Sequence, residues 1–483
     1  MTEHLKKNEY DLLILGGGIN GCMLYRTGTN SSKKVILIEK NDYSSGTSQA
    51  SGMMVWGGIL YLKNLEFNLV RKLCKARDNL IKHSNQVYTR HFNFAFLKNG
   101  ERSLFVTRGG LGLYRLLGLL ERSATKSTTN KQLPFQWDKC KFKDGLSYEE
   151  GFLKKSDSQF IISWLFRKVK SESKTYNYSN VKQIEWLDSN KHFEIKFSDA
   201  NKQMNTIFAK TIVNTCGIWA DGVNEKFNIK TKASHHLSKG VYLLFKNTNN
   251  QKDAFVVDME EQGDTLCWIP WGKTIMWGPT ETTINSIEEL PVTKDDVQFL
   301  LDKLNSKLEK KLDFQDIINV RTGIRPLVKI NDKKVKYSLE LSRKAILESD
   351  KNLPWHTVFG GKLSGSLEFS NKVYYNIFKK NPYQIQYNST IESPMTKEFF
   401  NGMNLPDVKW SVEHTQVRCL EDYLRRRTNI AQWIPVGGLG FNNEYLDDIK
   451  KISKLIHPSD KDADYDFKNY TNIQRIERSK WKN

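Results

Sequence analysis

This chain of 483 residues has little cysteine, no long apolar run and a shortage of acidic residues. The six cysteines (Cys22, Cys74, Cys140, Cys216, Cys267, Cys419) form no C-x-x-C pair. That spacing excludes a disulfide framework and a zinc site, and it fits a reducing cytoplasm. No metal is expected. No stretch reaches the length of apolar sequence needed to span a bilayer, and the first residues, Met1 to Lys7, run straight into a strand-like segment with no room for a signal peptide. There is no internal repeat and no low-complexity tract.

The acidic shortage leaves a formal net charge of +20. Such an excess favours anionic partners, either phosphorylated small molecules or an acidic lipid surface. No nucleic-acid module is recognisable, so nucleic acid is not expected as a partner. With 39% hydrophobic and 27% charged residues, the composition is that of a folded chain of two or three domains.

Residues 10–39 read as strand, tight turn, helix, strand. Tyr10 to Leu15 is an apolar run ending in glycines, Cys22 to Thr29 can form a helix, and Lys34 to Glu39 is a second buried strand. Between them lies Gly16-x-Gly18-x-x-Gly21. In such a loop the first glycine permits the turn, the second lets backbone approach a pyrophosphate, and the third lets helix and strand pack closely. The helix N-terminus offers N–H groups to phosphate, and Glu39 can accept from a ribose. The loop by itself leaves FAD and NAD both open.

Further along, Leu65, Leu69, Leu73, Ala76 and Leu80 mark a helix over 65–82, and Val297, Leu300, Leu301, Leu304 and Leu308 mark another over 294–312. Lys191 to Phe197 alternates as an antiparallel strand, and Ala209 to Asn214 reads as a buried one. From about Val412 the chain is charged and helix-rich, past a boundary near 380–405. Arg108, Arg115 and Arg122 fall on one helical stripe among leucines, a pattern that suits a membrane interface or a buried helix with a solvated edge. His235-His236 reads as a surface strand pair, with a displaced base as the alternative. Arg425-Arg426-Arg427 reads as a solvated helix face.

Several segments after the loop resemble the family of aerobic glycerol-3-phosphate dehydrogenase and α-glycerophosphate oxidase. They are Thr47-Ser48-Gln49-Ala50-Ser51 with Gly57-Gly58-Ile59-Leu60-Tyr61-Leu62, then Val213 to Asp221, Gly323-Ile324-Arg325-Pro326-Leu327, Phe359-Gly360-Gly361-Lys362-Leu363, and Leu420 to Thr428. The matches are collinear over residues 10 to about 435. The resemblance implies a Rossmann-like FAD-binding domain (1–75, 155–232 and 320–380), an inserted antiparallel-sheet substrate or cap domain (76–154 and 233–319), and a C-terminal helical domain (381–483), an α/β plus α+β chain.

It also implies FAD as cofactor, held by Gly16, Gly18, Asn20, Gly21, Glu39, Thr47, Ser48, Ser51, Gly217, Gly361, Lys362 and Leu363. A small anionic secondary alcohol, glycerol 3-phosphate first, would be oxidised by hydride transfer to flavin, with electrons passed to quinone or oxygen. The substrate-side residues would be Arg325, Arg343, Lys362 and Tyr242. The resembled family is monotopic, which implies a place in the cytoplasm or on the inner face of the cell membrane.

Three departures mark the substrate side. Where the family has a histidine two residues after a Lys-Gly pair, Lys239-Gly240 is followed by Val241 and Tyr242. An unperturbed tyrosine, with a pKa of about 10, is a poor base. Ile59-Leu60 lacks the family's arginine, and Leu363-Ser364-Gly365-Ser366 replaces threonines, a tyrosine and an arginine. Arg321, four residues before Arg325 on an extended strand, is a candidate to supply the missing charge. Two other readings stay open: an amine or amino-acid oxidase, which needs no hydroxyl base, and a flavin-binding protein without turnover.

Overall fold

The computed structural model describes residues 8–482 except 101, 135, 168–171, 259–264, 290, 331–343, 386 and 388–390. Arg343, named from the resemblance, lies outside the described residues.

The apolar runs at the start build a six-stranded sheet in the order Ile346–Ser349, Trp355–Phe359, Ile212–Asn214, Leu12–Leu15, Val35–Ile38, Lys174–Tyr176. All pairs are parallel except the edge strand Ile346–Ser349. Leu12, Leu13, Ile14, Val35, Ile36 and Leu37 are wholly buried, as continuous hydrophobic runs in a sheet covered on both faces should be. The helix between the first two strands is Ile19–Asn30, three residues longer at its start than the sequence suggests, because the chain turns helical immediately after Gly18.

A four-stranded sheet of Glu9–Tyr10, Met204–Ala209, His192–Ser198 and Asn180–Leu187 lies beside it. The alternating segment is indeed antiparallel, pairing with both neighbours. Ala209 ends one strand, and the buried parallel strand after it spans only Ile212–Asn214.

The segments expected as the cap lie in a ten-stranded sheet, antiparallel apart from the pair Val87–Ala95 and Ala254–Asp258. The sheet also takes in Met54–Val55 and most of Ile317–Ile330 from segments expected in the FAD-binding domain. Its longest pairing sets Ala233–Lys246 against Ile317–Ile330, with Tyr242 opposite Arg321 and Ser238 opposite Arg325. That register brings Tyr242 and the two candidate arginines onto one strand pair. The helix Phe67–His83 buries Leu73, Ala76 and Leu80, whereas Leu65 precedes it in a left-handed conformation and is exposed. The helix Lys294–Asn305 buries Val297, Leu300, Leu301 and Leu304; it ends before Leu308, which pairs with Trp137.

The C-terminal helices, chiefly Leu446–Ile456 and Asp460–Lys482, share a core of Leu420, Tyr423, Leu424, Ile430, Ile449, Ile452 and Tyr470. The expected solvated arginine face is absent there. Asp422–Arg427 forms a π-helical turn whose Arg426 and Arg427 are buried on Asp42 and Asp422. Burial alone would raise the Asp42 pKa, but Arg427 and Arg426 outweigh it and hold the carboxyl below its ordinary value. The turn therefore clamps the C-terminal helices to the loop after the second parallel strand. Among the described residues no helix is long and apolar enough to cross a membrane.

Candidate functional site

Gly16 leaves the first strand with φ +98°, and its N–H donates to Ile38 O at 2.9 Å. A Cβ there would sit 2.9 Å from Cys216 Cα, so the first loop glycine is required twice, by conformation and by space. A Cβ on Gly21 would run into the Gly16 carbonyl oxygen. The loop thus folds on itself with no room for side chains. Glu39 reaches back and accepts from Gly17 N–H at 2.6 Å and Asn41 N–H at 2.8 Å, while burial raises its pKa. Ser48 caps the helix, its Oγ accepting from Ile19 N–H at 2.9 Å.

Around this loop lies a cavity of about 460 Å³. Gly16, Gly18, Asn20, Glu39, Thr47, Ser48, Gly217 and Gly361 all line it. Of the remaining expected cofactor residues, Gly21 acts in packing. Ser51 donates its N–H to Asp157 at 2.8 Å, and Leu363 packs on the main core. Thr47 is tied to the cap strand through Ile324 O at 2.6 Å. Trp219, which the sequence did not single out, also lines the cavity and packs where a Gly46 side chain would be.

The Gly360–Gly361–Lys362 turn reaches the same place from the other end of the chain. Asn20 Nδ2 donates to Gly360 O at 2.9 Å, and Gly361, at φ +114°, presses against Asn20. His235 completes the anchor. Its Nδ1 lies 2.8 Å from Asp221 Oδ2 and its Nε2 accepts from Gly360 N–H at 3.3 Å. With a side chain only 1% exposed and both nitrogens engaged, His235 is neither a surface residue nor a displaced base.

Lys362 projects from this turn over the Tyr61 ring, its Nζ 3.4 Å from the centroid. Nζ is buried and has no hydrogen-bonding partner among the described residues; Trp56 Nε1, whose ring packs on Tyr61, and Asn20 Oδ1 share that condition. A tyrosine face favours the ammonium by about 0.5–2 kcal/mol. Loss of hydration outweighs it and pushes the lysine pKa down to about 7.

On the cap, Arg325 is half-buried, its guanidinium lying where Gly240 has no side chain. It donates to Thr280 O at 3.1 Å and more weakly to Ser238 Oγ and Lys239 O. Tyr242 is buried, its hydroxyl 2.6 Å from where a Gly52 Cβ would stand, and burial raises its pKa further. Arg321 does not supply a replacement charge for an anion. It is 1% exposed, pairs with Asp157 at 2.6 Å and donates to Ser51 O at 3.1 Å. Nothing in the sequence signals that partner, 164 residues away.

Comparison with known proteins adds an independent line. Residues 11–343 match the family model described as FAD dependent oxidoreductase. The aerobic glycerol-3-phosphate dehydrogenase of Bacillus subtilis is 30% identical over 374 residues, 76% of this chain and 66% of that protein. The chain thus spans just under two thirds of the length of the curated relatives it matches. The FAD complex of a glycerol-3-phosphate dehydrogenase from Bacillus halodurans has the same fold, with a TM-score of 0.73 over 99% of this chain and 96% of that one at 17% identity. The FAD-bound L-α-glycerophosphate oxidase of Mycoplasma pneumoniae superposes with a TM-score of 0.58 over 80% of this chain and 99% of that one, at 16% identity.

Proposed function

The chain belongs to the FAD dependent oxidoreductase family, and from that premise we propose that it oxidises a small anionic secondary alcohol, glycerol 3-phosphate first. Its electrons would leave to quinone or to oxygen. The observation that carries the proposal is the Arg325 guanidinium, seated over Gly240 on the strand pair that also holds Tyr242. A planar cation fixed in that way suits a phosphate or carboxylate.

The residues fit FAD. The loop glycines leave backbone open to a pyrophosphate, Glu39 borders the same cavity, and Asn20 Oδ1 and Lys362 Nζ are buried polar atoms with unused hydrogen-bonding capacity. Bound FAD supplies the hydride acceptor. Gly16, Gly18, Thr47, Ser48, Ser51 and Gly217 would hold it, with Gly21 keeping the loop closed. Gly361 and Leu363 would shape the far end. Arg325 would orient the substrate by its anion, and Tyr242, with its proton held by burial, would pack against it without acting as a base.

Anaerobic bleaching of the flavin by a panel of glycerol 3-phosphate, hydroxy acids and amino acids tests this reading. Anionic secondary alcohols should bleach it; bleaching by amino acids alone would replace it with the amine-oxidase reading. Arg325→Lys should weaken substrate affinity roughly 10- to 150-fold with an unchanged flavin spectrum. Tyr242→Phe should slow reduction far less than the 100- to 10,000-fold roughly expected on losing a base.

The same reading extends to location. The helix Leu104–Leu117 and the turn after it expose Phe105 (84%), Val106 (69%), Leu116 (60%) and Leu119 (64%). The arginine stripe is shorter than its spacing suggests, because Arg122 lies beyond the helix and is tied to Thr89 and Asp78. We infer that this apolar face rests on the anionic inner surface of the cell membrane, where a quinone acceptor would be within reach.

A further inference from the structure

Oxidation of an alcohol releases a proton as well as a hydride, and the position where the resembled family has its base is occupied here by Tyr242, a phenol that burial keeps protonated. His235 has both ring nitrogens engaged. Arg321 is committed to Asp157, and a guanidinium stays charged in any case. Among the described residues, Lys362 is a further nitrogen base, on the turn whose Gly360 and Gly361 line the cavity. Lys362 Nζ is buried, makes no hydrogen bond among the described residues, and stands on a turn held in place from two sides by Asn20 and His235. This Nζ lies 3.4 Å from the centroid of the Tyr61 ring.

We propose that the neutral amine of Lys362 is the catalytic base of this protein, taking the place of the missing histidine. The inference rests on the alcohol-oxidising reading above. The substrate O–H proton passes to the Nζ lone pair. The carbinol hydrogen leaves with its electron pair to the oxidant, FAD, and the C–O bond becomes a carbonyl. Two electrons leave the alcohol, one proton is stored as ammonium, and that positive charge offsets the negative charge the cofactor gains with the hydride. The Tyr61 ring lies against the amine, and burial is the cause that lowers the amine's proton affinity.

Two measurements on the FAD-loaded protein test the assignment. With lysine labelled at Cε by ¹³C, one NMR signal, identified by its loss in Lys362→Met, should titrate near pH 7. Titration near the ordinary lysine value would overturn the proposal. In anaerobic single turnovers with glycerol 3-phosphate, the wild-type rate of flavin bleaching should rise with pH through about 7, because the deprotonated amine is the active form. Lys362→Met and Lys362→Arg, compared with wild type at equal flavin content, should bleach roughly 100- to 10,000-fold more slowly with a flat pH profile. Lys362→Ala should be partly rescued by added methylamine. Wild-type bleaching with variants within tenfold would sink the lysine assignment alone. If no secondary alcohol bleaches the wild-type flavin, the alcohol-oxidising reading falls and this one with it.

Discussion

The glycine-loop region and the cap region meet at one site but are built on different principles. Around the loop, segments approach so closely that side chains are excluded, within the loop at Gly21 against Gly16 and between distant parts of the chain at Gly16 against Cys216 and Gly361 against Asn20. Binding capacity there belongs to the backbone. On the cap side, buried cations are already engaged by carboxylates: Arg321 with Asp157, Lys239 with Asp296, Arg77 with Glu150. The contrast teaches that a charge near a site is not a charge available to it. Lys362 matters because its amine has no such engagement.

The sharpest way to break the loop side is Gly21→Val. Its side chain would have to displace the Gly16 carbonyl, an overpacking cost of about 1–3 kcal/mol or more, and the purified protein should lose its yellow colour. Gly109→Ala, on an exposed helical position with no atom nearby, should instead stabilise by up to about 1 kcal/mol and leave the flavin spectrum alone. Equal flavin content in Gly21→Val and wild type would show that the loop tolerates what its geometry forbids.

Engaged charge is tested by Asp42→Asn. It leaves Arg426 and Arg427 buried beside a neutral group, and removing one partner from a buried pair costs about 3–5 kcal/mol. Because the folded pKa of Asp42 is lowered, its contribution is present above the unfolded value near 3.9 and is lost as pH falls through the lower folded value. Denaturant midpoints should therefore drop sharply at neutral pH and converge with wild type under strong acid. A uniform difference at all pH values would show that Asp42 acts by packing and not by charge.

The smallest effect concerns the apolar helix of the cap. Replacing Phe105 and Leu116 together by serine should lower partition onto anionic vesicles roughly tenfold or more, since each loses about 1.5–3 kcal/mol of burial, while flavin content and bleaching rate stay unchanged. Identical partition of variant and wild type would remove this face from the membrane proposal.

Much of this was legible in advance. The spacing of Gly16, Gly18 and Gly21, the two apolar strands around them, and the period of Leu73, Ala76 and Leu80 each follow from the geometry of a short backbone stretch, and each is found in place. Some readings missed the ends of elements, as with Leu65 and Leu308 outside their helices; the others concerned where a polar side chain ends up. Arg426 and Arg427 looked solvated and are buried; His235 looked exposed and anchors a turn; Arg122 looked helical and lies past the helix end.

The sequence by itself determined the βαβ unit, its glycine turn and the class of ligand such a turn can take, because backbone sterics and hydrophobic periodicity act between residues close in the chain. Only the tertiary structure decided which of the described cations are neutralised by a buried counter-charge. Pairings such as Arg321 with Asp157 or Arg427 with Asp42 join residues 164 and 385 positions apart. The desolvation of Lys362 likewise depends on the turn, helix and ring that close around it. Electrostatic free energy depends on distance and on the exclusion of water, and neither is encoded in the spacing of residues along the chain.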